Sequence, residues 1–90
     1  MKNEQLTLVA FKAPWCRPCK VMDPIVKNVL NIFNNIQLVE VNVDEDPDIT
    51  REYCVRTIPT FILKKGDKII QKLVGSASSE QVKEFLSKQE

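Results

Sequence analysis

Ninety residues carry thirteen Lys plus Arg against twelve Asp plus Glu, with no histidine, three cysteines, two glycines and five prolines. That length fits one small domain, expected over residues 1–90, and a net charge of +1 offers no electrostatic footprint for nucleic acid or an anionic membrane. The lack of histidine excludes imidazole acid–base chemistry, and three thiols leave a tetrahedral Cys/His zinc site incomplete within one chain.

Gln5 to Phe11 is short, apolar and β-rich, which predicts a strand. It is far shorter than the ~20 residues that span a bilayer and has no basic region ahead of it; with no signal peptide or lipidation motif visible, a cytoplasmic protein is expected. After Pro14-Trp15 the apolar residues take helical spacing. Val21, Ile25, Val29 and Phe33 lie four apart with Met22, Val26 and Leu30 beside them, and Lys20, Asp23, Lys27 and Asn31 fall on the other face. Pro24 should kink this helix and Asn34-Asn35 should end it. Ile36 to Val43 returns to strand composition, and Asp46-Pro47 reads as an N-cap followed by proline at the first helical position, opening a short helix that ends near Tyr53. Thr60–Lys64 and Lys68–Val74 flank Lys65-Gly66-Asp67 and predict an antiparallel hairpin, its Lys64-Lys65 pair solvated. Ser78 with Gln81 three residues later matches a capping box, and Val82, Phe85 and Leu86 supply the buried face of a last helix.

The order is therefore βαβ-α-ββα. Its opening requires a parallel pair with a right-handed crossover, and the hairpin adds antiparallel strands. The expected fold is α/β, a mixed four-stranded sheet with helices on both faces.

Chemistry concentrates in Trp15-Cys16-Arg17-Pro18-Cys19-Lys20, where the first strand hands over to the first helix. A cysteine at a helix N-terminus meets unpaired N–H groups and the positive end of the dipole, which favour its thiolate. Cys16 is therefore the expected nucleophile. Cys19 follows one turn later, more buried, placed to attack a mixed disulfide formed at Cys16. A C-x-x-C can also be half of a metal site, but no second half is present, and the neighbouring βαβ unit favours the redox reading.

Ala13-Pro14-Trp15-Cys16-Arg17-Pro18-Cys19-Lys20, Pro24, Val43-Asp44 before Pro47, Tyr53-Cys54-Val55-Arg56 leading into Ile58-Pro59-Thr60, Lys65-Gly66 and Val74-Gly75 occur in that order. The ordered set resembles the thioredoxin family along nearly the whole chain. That resemblance implies a cis Ile58–Pro59 peptide packed against a Cys16–Cys19 disulfide, with the Ile58 backbone pairing to an extended substrate segment. It also implies a shallow rim of Trp15, Val43, Thr57, Ile58, Pro59, Val74, Gly75 and Ser76 that grips client proteins carrying disulfides. Further implications are a monomer, no bound cofactor and no metal, and an NADPH- and flavin-dependent thioredoxin reductase that restores the dithiol.

Several positions depart from the family pattern. The match begins at the active-site strand, so a trimmed member without the leading strand and helix is expected, with one sheet face losing a cover. The hairpin strand after Pro59 is about one residue short, leaving the register near Lys64 open. Where the family keeps a buried acid this sequence has Ala10, and the basic partner on the neighbouring strand is replaced by Glu40. Glu40, expected half-buried on the same sheet face as Ala10, is the candidate acid–base group for Cys19. Arg17 and Lys12 flank Cys16, and as cations they favour its thiolate, which predicts a less reducing potential than is usual in the family; Pro18 completes the motif. Cys54 is expected to be a structural thiol. The expected function is reduction of protein disulfides, against two alternatives: a partner-binding or assembly module, and a metal or cluster carrier sharing its C-x-x-C between two chains.

Overall fold

Leu8, Val9, Ala10 and Phe11 are all buried, because the strand that carries them lies inside the sheet with a neighbour on each side and cover on both faces. The computed structural model describes residues 5–89. Its elements are β1 (Leu6–Lys12), α1 (Arg17–Leu30), β2 (Ile36–Asn42), α2 (Pro47–Glu52), β3 (Thr60–Lys65), β4 (Lys68–Val74) and α3 (Ser79–Ser87). The sheet order is β2-β1-β3-β4; β1 and β2 are parallel, and the β1–β3 and β3–β4 pairs are antiparallel. Among the described residues no helix is long and apolar enough to cross a membrane.

Strand alternation divides the core in two. Leu8, Ala10, Phe61 and Leu63 point to one face, where Met22, Val26 and Val29 of α1 and Val82, Phe85 and Leu86 of α3 cover them. The other face carries Val9, Phe11, Val41 and Ile62 under Val43, Tyr53, Val55 and Ile58. This second cover is thin. No residue within α2 is buried, and Tyr53 and the segment after it do the covering, with the Phe11 and Tyr53 ring centroids 5.7 Å apart.

Several local expectations need correction. The inward stripe of α1 is Cys19, Met22, Val26 and Val29, whereas Val21 is 55% exposed: Cys19 must face the sheet, and this rotates the apolar face by one residue. The helix ends at Leu30 with Asn31 as its C-cap, and Phe33 reaches the core from the turn beyond. Strand β2 stops at Asn42, whose side-chain Oδ1 accepts N–H bonds from Asp44 and Glu45 and so begins a turn in place of another strand residue. Asp46 precedes α2 but its side chain makes no capping bond; its carbonyl instead accepts from Thr50 Oγ1.

The end of α2 is a Schellman motif. The Val55 N–H reaches Thr50 O and the Cys54 N–H reaches Arg51 O, so Cys54 occupies the left-handed position (φ 57°) that glycine usually fills. A register shift between Leu63 and Lys64 marks a bulge where the short hairpin strand left the pairing open. Lys64 is not simply solvated: its Nζ donates to Tyr53 Oη at 2.8 Å and ties β3 to the end of α2. The capping box at Ser78 and Gln81 forms as predicted, and the Ala77 N–H just before it reaches Met22 Sδ, pinning the start of α3 to α1.

Candidate active site

The turn from β1 into α1 brings the two cysteines together. Cys16 is the N-cap, in extended conformation (φ −88°, ψ 108°), and its Sγ accepts the Cys19 N–H at 3.2 Å. That bond satisfies one of the free N–H groups of the first turn, and Pro18 in the same turn has no N–H to leave unpaired. Cys16 and Cys19 form a disulfide, with Cα atoms 5.3 Å apart. The expected difference in their exposure is absent from this oxidised state: Cys16 is 5% and Cys19 4% exposed. Position distinguishes them instead, since the sulfur of Cys16 faces the helix start while Cys19 lies on the inward face of α1.

Both sulfur-bearing residues pack with Ala13, Val43 and Ile58. The Ile58–Pro59 peptide is cis and Pro59 is buried. Thr60, also buried, donates its hydroxyl to Thr57 O, and the Gly75 N–H donates to Pro59 O at 2.8 Å. These bonds fix the segment from Thr57 to Thr60 and attach the Val74–Gly75 turn to it, with Gly75 in the left-handed region (φ 85°). The backbone N–H and C=O of Ile58 have no hydrogen-bond partner among the described residues.

Beside Cys16, a hollow of about 130 Å³ is lined by Trp15, Val43, Thr50, Val55, Arg56 and Ile58. Trp15 is 68% exposed and is oriented by its indole N–H, which donates to Asp44 Oδ2 at 2.7 Å. The structure therefore brings Trp15, Val43 and Ile58 to one surface, with Thr57, Pro59 and Gly75 on the adjoining loops and Val74 at the end of β4, and Ser76 stands exposed just beyond Gly75. Sequence reasoning missed Thr50, Val55, Arg56 and Asp44. The spacing of Asn42 and Asp44, which suits a side-chain-closed turn, was the available sign of the last.

Charged residues gather behind Cys19. Lys12 Nζ donates to Asp23 Oδ1 at 3.1 Å and to Glu40 Oε1. Lys27 Nζ lies 3.1 Å from Asp23 Oδ2 and 3.9 Å from Glu40 Oε1. Glu40 is the register partner of Ala10, as expected, but its side chain is 39% exposed and ion-paired, not half-buried among apolar neighbours. Burial pushes the Lys12 ammonium down, but its hydrogen bonds to Glu40 and Asp23 outweigh this and raise it above its ordinary value. Burial pushes Asp23 up, and the bonds from Lys12 and Lys27 more than reverse that, so its carboxyl is held below its ordinary value. Lys12 lines two cavities with Cys19, neither of which touches Cys16. Arg17 is exposed and has no ion pair among the described residues. Cys54 is exposed and free, and no group of three or more metal-ligating Cys, Asp or Glu side chains converges among the described residues.

A sequence model of the family described as Thioredoxin matches residues 1–88. Thioredoxin H2 of Arabidopsis thaliana is 35% identical over 79 residues, covering 88% of this chain and 59% of that protein. The thioredoxin of Buchnera aphidicola subsp. Baizongia pistaciae is 32% identical, covering 97% of this chain and 81% of that protein. Oxidised mitochondrial thioredoxin 3 of Saccharomyces cerevisiae superposes with a TM-score of 0.84 at 32% identity, covering 96% of this chain and 81% of that one. The chain thus spans less than two thirds of the Arabidopsis relative's length and about four fifths of the other two.

Proposed function

The chain belongs to the thioredoxin family, and on that premise we propose that it is a thiol–disulfide oxidoreductase that reduces disulfides in client proteins. The observation that carries this reading is the Cys16–Cys19 disulfide at the start of α1, beside a hollow that leaves the Ile58 backbone unpaired.

In the reduced protein, the Cys16 thiolate accepts the Cys19 N–H and sits at the positive end of α1, which stabilises the anion over the thiol. A client segment in extended conformation pairs with the free N–H and C=O of Ile58, as an added strand would. Its side chains rest on Trp15, Val43, Thr57, Pro59 and the Val74–Ser76 turn. Cys16 attacks one client sulfur and the first client thiolate leaves. Glu40 takes the proton of Cys19, whose thiolate then attacks Cys16 Sγ and releases the second client thiolate. Pro18 stiffens the first turn between the two sulfurs, and Arg17 and Lys12 add positive charge near it. The resulting disulfide is returned to the dithiol by an NADPH- and flavin-dependent reductase. The reading places this monomeric carrier in a reducing compartment, the cytoplasm, with no bound cofactor or metal.

The test follows Trp15 fluorescence during turnover of a protein disulfide such as insulin. Cys16→Ser should abolish reduction, and Cys19→Ser should accumulate a covalent Cys16–client adduct. Failure of the wild-type dithiol to reduce the disulfide would overturn the proposal and favour a binding module.

A further inference from the structure

Cys19 and Asp23 lie one helical turn apart on α1 and share a helix face. Asp23 has an ammonium on each oxygen: Lys12 on Oδ1 and Lys27 on Oδ2, each at 3.1 Å. Glu40 uses only Oε1, toward the same two lysines, and its Oε2 has no partner among the described residues. Cys19, Asp23, Lys12 and Glu40 together border a space of about 10 Å³, at the lower limit of room for one water. Lys27 and the uncharged residues Ala10, Val26, Leu38, Pro59 and Phe61 close the rest of it. A water in that space would lie between Cys19 and a carboxylate whose second oxygen has no partner among the described residues.

We propose that Lys12 and Asp23 are positioning residues for the resolving step: Asp23 anchors Lys12 beside Cys19, and Lys12 holds one oxygen of Glu40 so that the other accepts the Cys19 proton. The inference rests on the thiol–disulfide reading above and deepens it. In the step itself, the Cys19 S–H bond breaks and its proton passes through the water to Glu40. The Cys19 sulfur lone pair forms the bond to Cys16 Sγ while the Cys16–client S–S bond breaks. The client sulfur leaves with the electron pair and takes a proton from solvent. Over both steps two electrons pass from the protein dithiol to the client disulfide.

The groups facing Glu40 and Cys19 are Lys12 from β1, Asp23 and Lys27 from α1, and Lys20 at the rim of the adjoining cavity of about 300 Å³. Lys12, Lys27, Asp23 and Glu40 cancel in charge, so removing one member leaves an uncompensated unit charge beside Cys19. The sign of that charge depends on which member is removed, and this gives a test that loss of structure cannot imitate. Lys12→Met makes the cluster one unit more negative, which disfavours both carboxylate and thiolate; Asp23→Asn makes it one unit more positive and favours both.

The experiment measures attack and resolution separately, by acid quench and mass spectrometry of single turnovers with an aliphatic peptide disulfide. A Cys54→Ser background removes the exposed third thiol. The pH midpoint of resolution should rise by ~0.5 unit in Lys12→Met and fall by a similar amount in Asp23→Asn. Glu40→Gln should slow resolution at neutral pH by ~10-fold or more. Attack by Cys16 should change less than resolution in all three, and in Lys12→Met it should slow only through the lost positive charge that favours its thiolate. Midpoints that stay put, or move the same way in both variants, would overturn the inference, as would unchanged resolution in Glu40→Gln. Failure of Cys16 to attack in the parent protein would instead sink the thiol–disulfide reading itself.

Discussion

The two sulfurs of one disulfide face opposite kinds of surroundings. On the Cys16 side the surface is made of Trp15, Val43, Ile58 and loop backbone, and Arg56 is the one charged residue lining the hollow among those described. On the Cys19 side two lysines and two carboxylates are tied into a single cluster. The difference matches what each sulfur must do. A side that receives varied peptide segments gains from apolar contact and free backbone groups, whereas the other side has only to move a proton and needs titratable groups held in place.

The strongest way to break this comparison is to put charge on the receiving side. Ile58 packs against the cluster of Ala13, Cys16 and Cys19. Ile58→Asp places a carboxylate beside Cys16, which disfavours the thiolate, and also removes apolar contact with the client. Client reduction, measured as kcat/KM, should fall by ~10-fold or more, with Ile58→Ala losing clearly less because it loses only packing. Equal losses in the two variants would show that charge on this side is tolerated.

The next test concerns whether the charged side also contributes to stability. Asp23 and Lys12 are each about one third exposed, so solvent screening limits the contribution of their pairs to ~1 kcal/mol in total. Asp23 has a folded value below its ordinary 3.8, so its share is present above that pH and disappears as the pH falls through the lower folded value. Lys12 has a folded value above its ordinary 10.5, so its share is present below that pH and disappears as the pH rises through the raised value. Asp23→Asn should therefore be less stable than wild type in urea at neutral pH and approach it in strong acid. A difference that persisted unchanged in acid would point to packing as its cause.

The receiving side was far more legible in the sequence than the charged one. Trp15, Cys16, Cys19 and the Ile58-Pro59 pair sit in short segments whose order carried the family resemblance, and helical spacing alone marked Met22, Val26, Val29, Val82, Phe85 and Leu86, all of which are buried. Ala10 and Glu40 were marked as departures from the family pattern, and the β1–β2 register pairs them. Asp23 was placed on the solvent face of α1, since helical periodicity assigns charged positions outward and cannot show that Lys12, eleven residues earlier on another element, reaches it. The one-residue rotation of α1 has the same origin: a seven-residue apolar set on a helix fits either of two adjacent stripes, and the tie of Cys19 to Cys16 decides between them. Cys54 at a left-handed C′ position was hidden because glycine, the usual sign of that motif, is absent there.

The smallest effect expected separates a free cation from a bound one. Arg17 lies within the motif itself, next to Cys16, yet it is exposed and has no ion pair among the described residues. At physiological ionic strength the Debye length is about 8 Å, so its pull on the Cys16 thiolate is largely shared with solvent ions. Arg17→Gly should make the Cys16–Cys19 couple more reducing by only ~10 mV at low salt, against the ~30 mV that corresponds to ~1.4 kcal/mol for a two-electron couple. The shift should vanish in 1 M salt, where the screening length is about 3 Å. Equilibration in thiol–disulfide buffers read by Trp15 fluorescence measures it directly. A shift of several tens of millivolts that survives high salt would mean that Arg17 is held against the sulfur, and the receiving side would then owe its thiolate to a fixed charge as well as to the start of α1.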